Sequence, residues 1–212
     1  MRFSESERAA LVASLRGLDP DAPTLCEGWN VRRLVAHLVQ REHAFVQQLS
    51  DSIRKEEPGH ETSLNKLVAT AATAPGYQRL VDRFAAGTGA LNPMSWLGDA
   101  GQLVEYVVHH EDALRGAGGA STQERPEGAL NKLFAQLRFM GRLVFRGSPV
   151  GVSLSRPGDA AAAQVKGGNG VTLVGDPVEL ALYINGRRDA AQVQVDGAPE
   201  HLAAFQQWLG KA

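Results

Sequence analysis

Hydrophobic residues in the first two thirds of the chain recur every three or four positions. In the second segment, for example, Val31, Leu34, Val35 and Leu38 follow this spacing, which places their side chains on one face of an α-helix. Polar or Pro- and Gly-containing connectors separate such segments. The predicted helices span residues 4–17, 31–50, 63–72, 77–86, 100–115 and 127–145.

Residues at the ends of these segments support the prediction. Ser4 and Glu7 have the Ser-x-x-Glu spacing of a capping box, and Asn30 is a suitable N-cap for the second helix. Pro75-Gly76 predicts the break between the two weaker helices. The helix over 127–145 would complete a bundle of the four-helix type.

The pattern changes near residue 147, where β-branched residues and short alternating runs replace the helical repeat. Strands are predicted over 150–155, 164–166, 171–174 and 191–195, and helices over 177–185 and 200–209. Asp176 is placed to cap the first of these two helices. We therefore predict an α+β protein with a helical bundle over 1–146 and a small α+β module over 147–212.

Composition narrows the classes of function. The 212 residues include 22 basic and 23 acidic side chains, so no positive field favours nucleic acid or an anionic membrane as partner. The N-terminal segment lacks the pattern of a secretory signal, and the single cysteine, Cys26, fits a reducing compartment. These features predict a cytoplasmic protein, and any metal site would depend on His and carboxylate ligands.

The candidate chemistry lies in the helix over 100–115. A period of 3.6 residues places Glu105, His109 and Asp112 on one side of it. A Glu and a His four residues apart can bind one ion, but the same spacing is frequent on solvated helices. His37, at the edge of an apolar stripe, is the candidate third ligand or else an ordinary boundary histidine. His110 faces a different side, where packing or contact with a ligating residue is expected.

Two motifs carry a family resemblance. They are Thr24-Leu-Cys-Glu-Gly-Trp-Asn-Val-Arg-Arg-Leu-Val-Ala-His37-Leu and Glu105-x-x-x-His109-His-x-Asp112. Together they resemble the mycothiol-dependent maleylpyruvate isomerase family, part of the wider DinB-like superfamily of metal-binding helical bundles. Residues 171–187 and 193–197 are similar to that family's C-terminal α+β module.

The resemblance implies that His37, Glu105 and His109 bind one divalent metal ion. Zinc fits this ligand set best, although nickel or iron would also suit it. Open coordination positions would receive water, a thiol and a small-molecule substrate, and the family's thiol is mycothiol. A metal lowers the pKa of a thiol, so the expected activity is a thiol transferase or an isomerase acting on a small electrophile.

Other residues receive weaker expectations. Asp112 is expected to orient a ligating histidine, and Cys26 to close the end of the bundle rather than act as nucleophile. Arg187 would bind a carboxylate of the substrate or thiol, or else lie in solvent or against helix carbonyls.

The stretch 51–96 shows no specific similarity to the isomerase pattern, so isomerisation of maleylpyruvate itself is not implied. A shorter actinobacterial branch of the family is the better match. A hydrolase using metal-bound water and a non-catalytic binding or stress protein with a structural metal remain alternatives. The sequence leaves open whether the protein is a monomer or a homodimer.

Overall fold

The computed structural model describes residues 2–43, 61–87, 98–118 and 123–210. Its contacts divide the chain into two compact units, Met1–Thr122 and Gln123–Ala212. The first unit contains the described helices α1 (Phe3–Gly17), α2 (Val31–His43), α3 (Thr62–Thr70), α4 (Ala74–Ala85) and α5 (Gly98–Gly116).

Helix α1 packs against α4 and α5, and α2 packs against α3, α4 and α5. Their apolar faces meet in one core, because each helix has its hydrophobic residues on a single side. The largest buried side chains of this core are Leu11, Leu15, Leu34, Leu38, Phe84 and Tyr106.

The predicted capping box at α1 is wrong. The helix begins at Phe3, and the Ser4 backbone N–H and hydroxyl both donate to Asp99 Oδ1, at 2.9 and 2.6 Å. Glu7 pairs with His110 instead of reaching back to the helix start. A carboxylate from α5 thus replaces the local cap, because α1 and α5 lie side by side.

The N-cap at Asn30 is confirmed, since its Oδ1 accepts a hydrogen bond from the Arg33 backbone N–H at 3.0 Å. The structure describes α2 as far as His43, and its predicted continuation over 44–50 lies outside the described residues. The break between α3 and α4 falls at 71–73 rather than at Pro75-Gly76. Thr73 caps α4, and Pro75 sits in its first turn, where a missing N–H costs nothing.

The second unit begins with α6 (Glu127–Val144) and continues with β1 (Gly151–Ser155), β2 (Ala163–Lys166), β3 (Gly170–Val174), α7 (Pro177–Ile184), β4 (Gln194–Gly197) and α8 (Pro199–Leu209). The strands form one sheet in the order β2-β1-β3-β4. The central pair, β1 and β3, is parallel, and both outer pairs are antiparallel. The prediction of an α+β protein is confirmed.

Helix α6 packs against α7 and β2 and so belongs to the second unit. Gly141 allows this approach, because a Cβ there would lie 3.2 Å from the Val165 side chain of β2. The sequence pattern placed the boundary between units after residue 146, whereas the contacts divide the chain before Gln123. Asp176 caps α7 as predicted, accepting from the Val178 N–H at 2.9 Å.

Among the described helices, none combines the length and the apolar character needed to cross a bilayer.

Candidate metal centre

Helices α2 and α5 bring three polar side chains together at one place in the first unit. His37 comes from α2, and Glu105 and His109 come from successive turns of α5. Their ligand atoms lie within 4.8 Å of one another. Glu105 Oε1 is 3.0 Å from His109 Nε2 and 3.8 Å from His37 Nε2.

These distances fit a divalent ion. Two ligands at zinc-type bond lengths around a tetrahedral ion are about 3.3 Å apart, which lies between the two separations observed. Two imidazoles and one carboxylate are also the donor set of catalytic zinc sites, with a position left open. The side chains of His37, Glu105 and His109 are 19%, 25% and 10% exposed, so the site is partly shielded from solvent.

Asp112 lies on the other side of His109. Its Oδ2 is 2.8 Å from His109 Nδ1, and its side chain is fully buried. Asp112 can therefore accept a hydrogen bond from the Nδ1–H group, while Nε2 is directed at Glu105. This is the arrangement by which a carboxylate fixes the ring orientation and tautomer of a metal-binding histidine.

The loop before α2 completes this arrangement. The Cys26 thiol donates to the same Asp112 Oδ2 at 3.2 Å, and the Leu25 backbone N–H donates to the Asp112 carbonyl at 3.1 Å. Gly116 makes the approach possible, since a Cβ there would lie 2.2 Å from Thr24 Cα. Cys26, Asp112 and His109 Nδ1 form a second group whose ligand atoms lie within 4.8 Å.

His109 and Glu105 strongly affect each other's pKa. Burial alone would lower the pKa of His109, but the Glu105 charge and the hydrogen bond to Asp112 hold it well above its usual range. Burial would raise the pKa of Glu105, yet the charge and hydrogen bond of His109 hold it well below. Desolvation lowers the pKa of His37. These shifts favour a charged His109 between two carboxylates and a neutral His37 in the metal-free protein.

Arg41 is a site residue that the sequence analysis missed. Its Nε lies 3.2 Å from Glu105 Oε1, and its side chain is 12% exposed. Arg41 follows His37 by four residues on α2, and this spacing is the signal that would have found it. Trp29 also lies beside the site, with its ring centroid 5.2 Å from that of His37.

The structure gives contacts of their own to two further residues singled out from the sequence. His110 is fully buried, with Nδ1 2.8 Å from Glu7 Oε1 and Nε2 2.8 Å from Ser14 Oγ, so it links α5 to α1. Arg187 lies in the second unit, where its guanidinium donates to the Asn185 carbonyl at the end of α7, at 2.6 Å. That contact is the helix-carbonyl alternative considered for Arg187.

Comparison with known proteins agrees with this architecture. Residues 4–95 match the family model described as the mycothiol maleylpyruvate isomerase N-terminal domain. The match includes His37 and runs through 51–95, where the sequence motifs showed no specific similarity, and it ends before Glu105 and His109. No curated protein gives a significant match.

Among solved structures, the chain is similar to a crystal structure of a single-site mutant of the mycothiol-dependent maleylpyruvate isomerase. The TM-score is 0.52 at 14% sequence identity, and the alignment covers 94% of this chain and 93% of that one. At this identity the likeness shows a shared fold. Residues 4–95, a little under half of the chain, are thus similar to the family of the mycothiol maleylpyruvate isomerase N-terminal domain.

Proposed function

We propose that this protein is a metal- and thiol-dependent enzyme that acts on a small electrophilic substrate. His37, Glu105 and His109 would hold one divalent ion, with Zn²⁺ the best fit to two imidazoles and a carboxylate. The observation that carries the proposal is the convergence of these three side chains, together with the hydrogen bond between Asp112 and His109 Nδ1.

Each residue at the proposed site has a separate role. Burial keeps His37 neutral, so its lone pair is available for coordination. Asp112 orients the ring of His109, and Glu105 supplies the negative charge that offsets part of the ion's charge. The ion itself, when bound, lowers the pKa of a thiol and so supplies a thiolate nucleophile at neutral pH.

The family match favours mycothiol as the thiol. Addition of its thiolate to an electrophilic carbon would be followed by release of the thiol in an isomerase, or by its retention in a transferase. The structure offers no comparable role for Cys26, whose sulfur is engaged with Asp112.

Metal analysis of the purified protein tests the site. We expect about one divalent ion per chain in the wild type and little in His109→Ala, because removing one of three protein ligands weakens such sites severely. His201→Ala is the matched control, since it removes a histidine from α8 in the second unit. Retention of stoichiometric metal by His109→Ala would exclude the assignment.

A thermal-shift titration with mycothiol tests the thiol. A ligand that binds only the folded state raises the melting temperature, and we expect this rise in the metal-loaded wild type but not after chelation. Lack of any rise in the loaded protein would remove mycothiol from the proposal. Ester or amide hydrolysis by the loaded protein without thiol would then favour the hydrolase alternative.

A further inference from the structure

Arg41 occupies an unusual position for a cation. Its guanidinium pairs with Glu105 Oε1, the same oxygen that faces His37 Nε2 and His109 Nε2. A guanidinium is always charged and repels a divalent cation at short range. Arg41 and an ion in the centre therefore compete for one carboxylate.

The Arg41 guanidinium also has more hydrogen-bond donors than one carboxylate can accept from. Arginine carries five N–H donors, and within the described part of the chain Glu105 is the one carboxylate at ion-pair distance from Arg41. The side chain keeps an exposed fraction of 12%, and one carboxylate cannot accept from all five donors. A group placed beside the ion could accept from them.

We propose that Arg41 exchanges partners when metal binds. It holds Glu105 in the metal-free protein, and in the loaded protein it donates to an anionic ligand on the ion's open side, which in the proposed reaction is the thiolate of the cofactor. This inference rests on the proposed metal site. It makes Arg41 a ligand-binding residue of the loaded protein and a competitor for Glu105 in the unloaded one.

The rival interpretation is that Arg41 only fixes the orientation of Glu105. The two interpretations predict opposite effects on metal binding. If Arg41 competes, its removal leaves the affinity for metal equal or higher. If it orients the ligand, removal lowers that affinity by about tenfold or more, as loss of residues that orient metal ligands does.

The experiment uses Co²⁺ as the probe metal and 2-mercaptoethanol as the probe thiol, on the full chain. Co²⁺ affinity is measured by chelator competition for the wild type, Arg41→Gln and Arg41→Lys. The thiol is then titrated into each Co²⁺-loaded protein, and the sulfur-to-cobalt charge-transfer absorption is followed. Far-UV circular dichroism and the melting temperature show that each variant is folded.

We expect Arg41→Gln to bind Co²⁺ at least as tightly as the wild type. We expect its affinity for the thiol to fall about tenfold, the effect of losing one hydrogen bond to a charged group. Arg41→Lys should recover part of the thiol affinity because it restores the charge. Arg16→Gln is the control, since Arg16 lies on α1 and pairs with the exposed Asp82; this variant should change neither value.

Each outcome is decisive. Weaker Co²⁺ binding by Arg41→Gln, or thiol affinity equal to the wild type, would overturn the role of Arg41 while leaving the metal site intact. Failure of the wild type to bind Co²⁺ would overturn the metal site and this inference with it.

Discussion

His109 is the residue on which the centre depends, because both of its ring nitrogens have a carboxylate partner. Nδ1 faces Asp112 at 2.8 Å and Nε2 faces Glu105 at 3.0 Å. With His109 charged in the metal-free protein, each nitrogen donates a hydrogen bond to its carboxylate. An ion can bind Nε2 only after the proton there has left, while the proton on Nδ1 can stay.

Metal binding should therefore release about one proton at neutral pH. The pKa of His109 lies well above its usual value, and that of Glu105 well below. Around pH 6.5 to 7, His109 is thus charged and Glu105 is already ionised, so affinity should fall about tenfold per pH unit as pH decreases. Calorimetric titration with Zn²⁺ in buffers of different ionisation enthalpy measures the proton count. A count of zero would mean that His109 is neutral before metal binds.

Asp112→Asn should weaken metal binding by roughly 10- to 100-fold, the usual cost of removing a carboxylate that orients a metal-binding histidine. The amide keeps the shape of the side chain but cannot stabilise the same histidine tautomer as well. Chelator competition with Zn²⁺ measures the change. Asp82→Asn, at an exposed surface position on α4, is the control, and equal affinities in the two variants would contradict the role of Asp112.

The part of this centre that lies on one helix could be predicted from residue spacing, and the contacts between helices could not. Glu105, His109 and Asp112 share one helix, so the helical period alone brings them together. The spacing of Arg41 from His37 could have placed Arg41 on the same face of α2, but the partners of His110 depend on how α1 is rotated against α5. No local spacing specifies that rotation, and it is set by the packing of the whole core.

At the scale of elements, the end of α5 determines where the Cys26 loop lies. Gly116 is the last residue of this helix, and the Thr24-Leu25 backbone packs directly on its Cα. The same loop donates the Leu25 N–H to the Asp112 carbonyl. The contact connects the fold of the loop to the surroundings of His109.

Gly116→Ala should destabilise the protein by about 1 to 3 kcal/mol, the usual cost of overpacking. The added Cβ would lie 2.2 Å from Thr24 Cα, and backbone cannot move aside as a flexible side chain can. Gly17→Ala is a matched control, because Gly17 also ends a helix but has open space around it. Urea unfolding measures both, and Cys26 in Gly116→Ala should react faster with a thiol reagent. Equal stability of the two variants would contradict the tight contact.

The spacing of hydrophobic residues predicted the helices well, because each helix has one apolar face. Helix starts were less predictable wherever a distant residue supplied the cap. Ser4 illustrates this, since Asp99 from α5 takes the place of the local Glu7. Pro75 illustrates the opposite error, because a proline expected to break a helix sits in its first turn.

At the scale of the molecule, the sequence pattern did not predict to which of the two units α6 belongs. Its apolar residues repeat like those of the bundle helices, but Leu133 and Leu137 are buried in the second unit. A helical period shows that a helix has a face to cover, and it does not show whether helices or a sheet will cover it. The α+β class was predictable, because strand and helix periods differ.

Binding of the proposed ion should raise the melting temperature of the protein. At a free Zn²⁺ concentration of about 100 times the dissociation constant, the stabilisation is about 2.7 kcal/mol. For a chain of this size that corresponds to roughly 5 to 10 °C. Differential scanning calorimetry with and without a chelator measures the shift. His109→Ala should show none, and an equal shift in this variant would place the ion elsewhere.

The proposed metal ligands, one from α2 and two from α5, have a consequence for chain topology. An ion held by His37 and Glu105 would cross-link two points between which α3 and α4 lie. Like a disulfide, such a link reduces the entropy of the unfolded chain, but it can be made and removed by the supply of metal. The stability of α3 and α4 would then depend on metal as well, although neither helix contributes a ligand.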